Sequence, residues 1–219
     1  MPPTYDVSCF FSTAAVYGDP DQVPIPETAA LRPTNAYGES KLMTEQMLRW
    51  FHHVHRFRLA ILRYFNVAGA LDGRGEEHEP ESHLIPLILD VAIGRRSSIT
   101  IFGDDYDTPD GTCIRDYIHV RDVANAHILA LDALSYEDAM LVNLGNGIGF
   151  SVKQVIETTR RVTGHPIPVE IKNRRPGDPA RLVASANRAQ TELGWKPNYP
   201  NLEDIIASAW RWHQVRFRG

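Results

Sequence analysis

Short apolar runs alternate along the chain with longer amphipathic ones. Val7–Ser12 (VSCFFS) is apolar on successive residues and ends at small polar ones, which predicts a buried strand. Leu59–Tyr64 (LAILRY) repeats that pattern. Between the two, Asn35–His55 places Met43, Met47, Trp50, Phe51 and Val54 on one stripe at helical spacing. The preceding Gly18–Thr34 holds four prolines and reads as a loop. After a polar, acidic loop over Gly69–Ser82, Leu84–Ile93 predicts a helix and Ser98–Phe102 a short strand. Gly103–Thr112 is a second polar loop, and Ile114–Val120 is extended. Asp122 is placed to cap a helix running through Leu134, because a carboxylate accepts the free first-turn N–H groups. Leu141–Leu144 reads as a strand, and Ser151 with Gln154 three residues on forms a capping-box pattern. Val169–Ile171 and Leu182–Ala184 predict short strands; Asn187–Leu193 and Leu202–Arg216 predict closing helices. Strands alternating with helices argue an α/β layer fold. The short strands and long loops beyond Gly69 point to a smaller accessory lobe.

Composition narrows the function classes. Of 219 residues, 43% are hydrophobic and 23% charged, with a net charge of −4. That is a globular balance, without the basic footprint expected of a nucleic-acid or anionic-membrane partner. No apolar run is long enough for a transmembrane helix. The opening Met1–Asp6 is polar and Pro-rich and lacks the charge and apolar core of a signal peptide. Cys9 lies in an apolar run and Cys113 in a polar loop, far apart. That usage predicts reduced thiols and a cytoplasmic setting.

The strongest chemical signal is Tyr37-Gly-Glu-Ser-Lys41. Tyr and Lys four apart on a helix share one face. A phenol is a poor base at neutral pH, and an adjacent ammonium favours its phenolate. Such a Tyr can take a proton from an alcohol while hydride leaves the same carbon. Upstream, Phe11-Ser-Thr-Ala-Ala-Val-Tyr-Gly18 runs a strand into small hydroxyl residues. Thr13 would then stand at the carboxyl end of a parallel strand, where α/β folds place ligands. Arg63-Tyr-Phe-Asn-Val-Ala-Gly69 again puts polar residues at a strand end.

FSTAAVYG, YGESK and RYFNVAGA, in this order, resemble the extended short-chain dehydrogenase/reductase family. Within it, Phe102–His127, HLIP at His83–Pro86 and RRPGDPARLVA at Arg174–Ala184 resemble the UDP-galactose/UDP-glucose 4-epimerases. Related dehydratases generally lack the YDTPDGT inserted before RDY and carry acidic residues where this chain has Thr13-Ala-Ala.

The resemblance implies a Rossmann-like, doubly wound parallel sheet, here incomplete, with a smaller α/β substrate lobe. Residues 1–72 would be a remnant of the NAD-binding domain and 73–219 mainly the lobe, with about 118–145 returning to the sheet. It implies NAD as cofactor, a UDP-sugar as substrate and a homodimer for the complete protein. Tyr37 would be the base, Lys41 would hold the nicotinamide ribose, and Thr13 would contact substrate and cofactor. Phe65 would touch the nicotinamide side. Asn66, His83 and Leu84 would lie near the diphosphate and nucleotide, and Thr100, Ile101 and Phe102 along the uracil. Arg115 and Arg175 would bind the diphosphate, where a guanidinium fork suits phosphate oxygens. Asp178 would accept from the ribose, and Leu182 would line the sugar pocket.

Other patterns invite competing readings. Gly145-Asn-Gly-Ile-Gly149 follows a strand and opens a helix, but its third Gly is one residue early for a dinucleotide loop. A tight turn is the better expectation. His52, His53 and His55 sit at a helix end, where imidazoles interact well with the carboxyl-terminal dipole, so no metal is expected. The glycine-rich loop of the resembled family, expected ahead of Val7, has no counterpart in this chain. The expectation is an impaired enzyme, or a non-catalytic remnant or half-enzyme that keeps a nucleotide-sugar surface. Such a chain would be poorly packed along its first strand and would not hold NAD alone.

Overall fold

The computed structural model describes residues 6–71 and 73–217. The expectation for Met1–Asp6 therefore concerns residues almost entirely outside the described ones. The chain runs β1 (Val7–Thr13), a 3-10 turn (Ala14–Tyr17), α1 (Ala36–His55), β2 (Arg58–Tyr64), β3 (Asn66–Ala68), α2 (Leu84–Ala92) and β4 (Ile99–Phe102). It continues through β5 (Ile114–His119), α3 (Val120–Ala133), β6 (Ala139–Leu144), β7 (Gly149–Ser151) and α4 (Val152–Thr163). It ends with β8 (Val169–Lys172), β9 (Arg181–Leu182), α5 (Asn187–Leu193) and α6 (Leu202–Phe217).

The expected α/β fold is present, with its parallel sheet. Strands pair in the order β1-β2-β6, all parallel, with Val7 opposite Arg58 and Thr13 opposite Tyr64. β2 is buried on both faces, as its unbroken apolar run predicts. Leu59 and Ile61 pack with Leu48 of α1, whereas Ala60 and Leu62 join the core formed with α3 and α5. A second core gathers α2, α4 and α6 around Ile99, Ile101 and Tyr117. There β5 pairs with β3 and β9 in parallel and with β7 antiparallel, while β4 and β8 form a separate parallel pair. At Ser151 both hydrogen bonds of the capping box are made. None of the described helices is long and apolar enough to cross a membrane.

Two local expectations, the Asp122 cap and the burial of β1, are corrected, and the direction of the α1 stripe is decided. The helix after β5 starts at Val120, and its cap is His119, whose ring accepts from the Arg121 N–H at 3.0 Å. Asp122 is instead buried inside the first turn and accepts from Asn198 and Tyr199, anchoring the segment ahead of α6. The Met43–Val54 stripe of α1 is exposed, and the helix turns Gly38, Leu42 and Glu45 inward. Only the last residues of β1 are buried, and Phe11 is 51% exposed. β1 pairs with β2 on one flank, and no described strand pairs with the other.

The turn expected at Gly145–Gly149 cradles the chain's own carboxylate. Asp116, fully buried, accepts from the N–H groups of Asn146 at 2.9 Å, Gly147 at 3.0 Å and Ala184 at 3.1 Å. Burial pushes its pKa up to about 6 against the downward pull of those three donors. A Cβ at Gly145 would stand 2.5 Å from Asp116 Oδ2, so the first glycine is needed for this approach. Asp116→Ala leaves three N–H groups unpaired in the core. The expected loss is on the order of 3 kcal/mol, read from urea unfolding. A parental midpoint would show that water replaces the carboxylate freely.

Candidate active site

β1 and β2 end side by side. Thr13 closes β1, is largely buried, and caps the 3-10 turn by accepting from Ala15 N–H at 3.2 Å. α1 begins nearby, capped by Asn35, whose Oδ1 accepts from Gly38 N–H at 2.8 Å. A Cβ at Gly38 would lie 2.5 Å from Ala15 O, so glycine lets the first turn of α1 close onto the turn after β1. This approach delivers Tyr37, 54% exposed, to the rim of a cavity of about 670 Å³.

Of the residues singled out in the sequence, Thr13, Tyr37, Phe65, Asn66, His83, Leu84, Arg115 and Leu182 line this cavity. Lys41 stands behind the wall. Its Nζ donates to Phe11 O at 2.9 Å and lies 5.9 Å from the Tyr37 ring centroid. The parallel pairing of β5 with β9 sets Arg115 opposite Leu182. Thr100, Ile101, Phe102, Arg175 and Asp178 lie outside the wall. The side chain of Ile101 is in the core, so that residue offers a ligand only backbone. Arg175 lies 3.9 Å over the Phe102 ring, which brings two of the outlying residues together.

Two of the cationic groups, Arg115 and His83, already have carboxylate partners. Arg115 donates to the Asp178 carboxylate and, at 2.8 Å, to Pro179 O. His83 Nδ1 lies 2.6 Å from Glu76 Oε1 and 2.9 Å from Glu81 Oε1. The hydrogen bond with Glu76 is the main reason that its pKa rises to about 9, so the ring is an imidazolium at neutral pH. Glu76, Glu81 and His83 bring three ligating atoms within 4.8 Å of one another, a set that could hold a metal ion but that here forms an ion-paired cluster. At the end of α1, His52 donates to Phe57 O at 2.7 Å.

Sequence reading missed Tyr64, Gly69, Arg74, Glu76 and Tyr117, which also line the cavity. Gly69 was within reach of the RYFNVAGA motif. Its φ is +88°, and a Cβ there would stand 2.5 Å from the His119 ring. Arg74 and Glu76 come from an irregular loop that carries no periodic signal.

The chain is 58% identical over 213 residues to the UDP-glucose 4-epimerase of Halalkalibacterium halodurans, covering 96% of this chain and 64% of the relative. It is 54% identical to that of Streptomyces lividans, covering 96% of this chain and 63% of the relative. A crystal structure of UDP-glucose 4-epimerase superposes with a TM-score of 0.93 at 53% identity, covering 98% of this chain and 66% of that one. The Bifidobacterium longum enzyme, solved in complex with NAD+ and UDP, gives 0.91 at 43% identity, covering 97% and 64%. The chain thus spans about 64% of the length of the first curated relative. The family description that matches, over residues 5–145, is "NAD dependent epimerase/dehydratase family", and it takes in both the Tyr37/Lys41 helix and the strand ends around Thr13 and Phe65: the chain belongs to that family.

Proposed function

We propose that this chain carries the proton-transfer and nucleotide-sugar part of a UDP-glucose 4-epimerase. The observation that supports it most is the convergence of Tyr37, Thr13 and Phe65 on one cavity, with the Lys41 ammonium behind Tyr37. The cavity fits the nicotinamide end of NAD: an aromatic ring and a hydroxyl line it, and a lysine stands behind the wall. When bound, NAD would supply reversible hydride transfer at the sugar carbon. Tyr37 takes the proton of the sugar 4-hydroxyl and later returns it. Thr13 orients that hydroxyl, and Lys41 keeps positive charge near the phenol and holds the nicotinamide ribose. Arg115 and Arg175 receive the diphosphate, with Asn66, His83 and Leu84 beside it. Thr100, Ile101 and Phe102 lie along the base, Asp178 accepts from the ribose, and Leu182 bounds the sugar.

The proposed organisation has a cofactor side and a substrate side. Residues 1–72 and about 118–145 belong to the cofactor side, and the rest of 73–219 to the substrate side. The exposed stripe of α1 suits packing against a second copy in a complete, cytoplasmic enzyme. One observation favours a second reading. The open flank of β1 and the exposed Phe11 suit a half-enzyme that binds the nucleotide sugar but not the cofactor.

In a chain completed with a glycine-rich dinucleotide-binding segment, Tyr37→Phe is expected to lower epimerisation of UDP-galactose by about 10²–10⁴ without loss of helicity. Turnover near the parental value would sink the proposal. Arg115→Ala and Arg175→Ala should each weaken UDP binding by about 1.5–3 kcal/mol in titration calorimetry; unchanged affinity in both would assign these arginines to intramolecular pairing alone. The 219-residue chain by itself is expected to purify without NAD, since the helix amino terminus that would receive the pyrophosphate is not offered by Gly145–Gly147. Stoichiometric dinucleotide absorbance in the purified protein would contradict this.

A further inference from the structure

The side of α1 that faces the sheet is not its most apolar side. Met43, Met47, Trp50, Phe51 and Val54 point outward, while Gly38, Leu42 and Glu45 are buried. Hydrophobic burial alone would favour the opposite rotation. On the observed side lies an ion pair removed from solvent: the side chains of Glu45 and Arg63 are each 1% exposed. Arg63 Nε donates to Glu45 Oε1 at 2.9 Å and Nη2 to Oε2 at 2.5 Å, a two-pronged arrangement that fixes direction as well as distance.

The pair is extended on both sides. Ser12 Oγ donates to Glu45. Arg63 Nη1 donates to the Tyr17 hydroxyl at 3.0 Å, which donates to Asn143 Oδ1 at 2.7 Å. Asn143 Nδ2 in turn donates to Ile25 O at 2.9 Å. One network thus joins α1 to β1, β2, β6 and the loop before α1. Its members stand directly behind the cavity. Ser12 precedes Thr13, Arg63 precedes Tyr64, and Glu45 lies one helical turn after Lys41 and two after Tyr37. Because α1 is a continuous helix, its rotation at Glu45 sets the direction in which Lys41 and Tyr37 leave it.

We propose that the buried Glu45–Arg63 pair is a positioning device that fixes the rotation of α1 over the sheet and thereby sets Tyr37 against Thr13. This rests on the functional reading above for its catalytic consequence, but not for its structural content. A buried ion pair is a poor way to gain stability, since well-packed apolar residues of similar volume often do as well. Apolar contacts lack direction, however, and α1 has a larger apolar face that could compete for the sheet. The guanidinium–carboxylate fork decides between the two rotations.

The test compares Glu45→Gln, the double variant Glu45→Met/Arg63→Met and the conservative Arg63→Lys. Each is made in the 219-residue chain with 3-fluorotyrosine placed at position 37 and read by melting and by fluorine NMR below the transition. Glu45→Gln should melt earlier, because it leaves a buried guanidinium uncompensated. The double variant should regain most of that loss yet show a shifted or multiple Tyr37 resonance, and Arg63→Lys should lie between parent and double variant. In the completed enzyme the double variant should lose about ten- to a hundredfold in kcat with KM within about twofold. A single parental Tyr37 resonance in both Glu45→Gln and Arg63→Lys would overturn the proposal, whatever their melting temperatures, and it decides the matter should the double variant not fold. A completed parent without epimerisation would defeat the functional reading, and the fluorine spectra would still decide the rotation of α1.

Discussion

The cavity depends on one constraint, the parallel register that ends β1 at Thr13 opposite Tyr64, the last residue of β2. Parallel strands that finish at the same level leave their carboxyl ends open on one edge of the sheet, and the segments that leave them must diverge. After β1 the chain turns through Ala14–Tyr17 and returns as α1, carrying Tyr37. After β2 it passes through Phe65 and Asn66 into β3, which pairs with β5 rather than with the first sheet. The cavity opens between these two departures, and Arg115 and Leu182 close it from β5 and β9. A slip of one residue between β1 and β2 would turn each side chain of the moved strand to the other face, separating the Thr13 hydroxyl from Tyr37.

Much of the fold was legible because its signals were local. Short runs rich in consecutive apolar residues marked β1 and β2, and the Ser151/Gln154 box marked the start of α4. Errors arose where tertiary contacts overrode local preference. The Met43–Val54 stripe had the right period for α1 but gave no information on direction. The face was chosen by Glu45 and Arg63, whose meeting across 18 residues no window of sequence reveals. Asp122 had the chemistry of a cap, yet it is held by the N–H groups of Asn198 and Tyr199, more than 70 residues away. At Gly145–Gly147 the glycines serve a buried carboxylate from another strand instead of a phosphate.

The candidate site was legible to the extent that motifs place residues at strand ends and helix starts. Thr13, Tyr37, Phe65 and Asn66 follow directly from such positions and all reach the cavity. Residues drawn from Ile99 onward were harder to place, since β4, β8 and β9 are short strands whose pairing is not written in any period. Arg175 came to rest over Phe102 and Ile101 turned into the core, so strand alternation, rather than residue type, decides which of Thr100–Phe102 can face a ligand.

The charges around the cavity set a further condition on any anionic ligand. Arg115 is held by Asp178 and by Pro179 O, and His83 by Glu76 and Glu81. At Arg115 and His83 a diphosphate entering here would not meet bare cations. It would have to share them with these carboxylates or displace them, and each exchange returns less free energy than a new charge-assisted bond because one of similar kind is given up. The gain from such exchange lies in geometry. Arg115 is restrained by three acceptors, the Asp178 carboxylate, Pro179 O and Ile114 O, before a ligand arrives, so little side-chain freedom remains to be lost on binding. Asp178, freed from Arg115 or shared with it, is left beside the ligand as a hydrogen-bond acceptor. One exchange would therefore free a guanidinium fork and a carboxylate acceptor together, a donor and an acceptor released side by side.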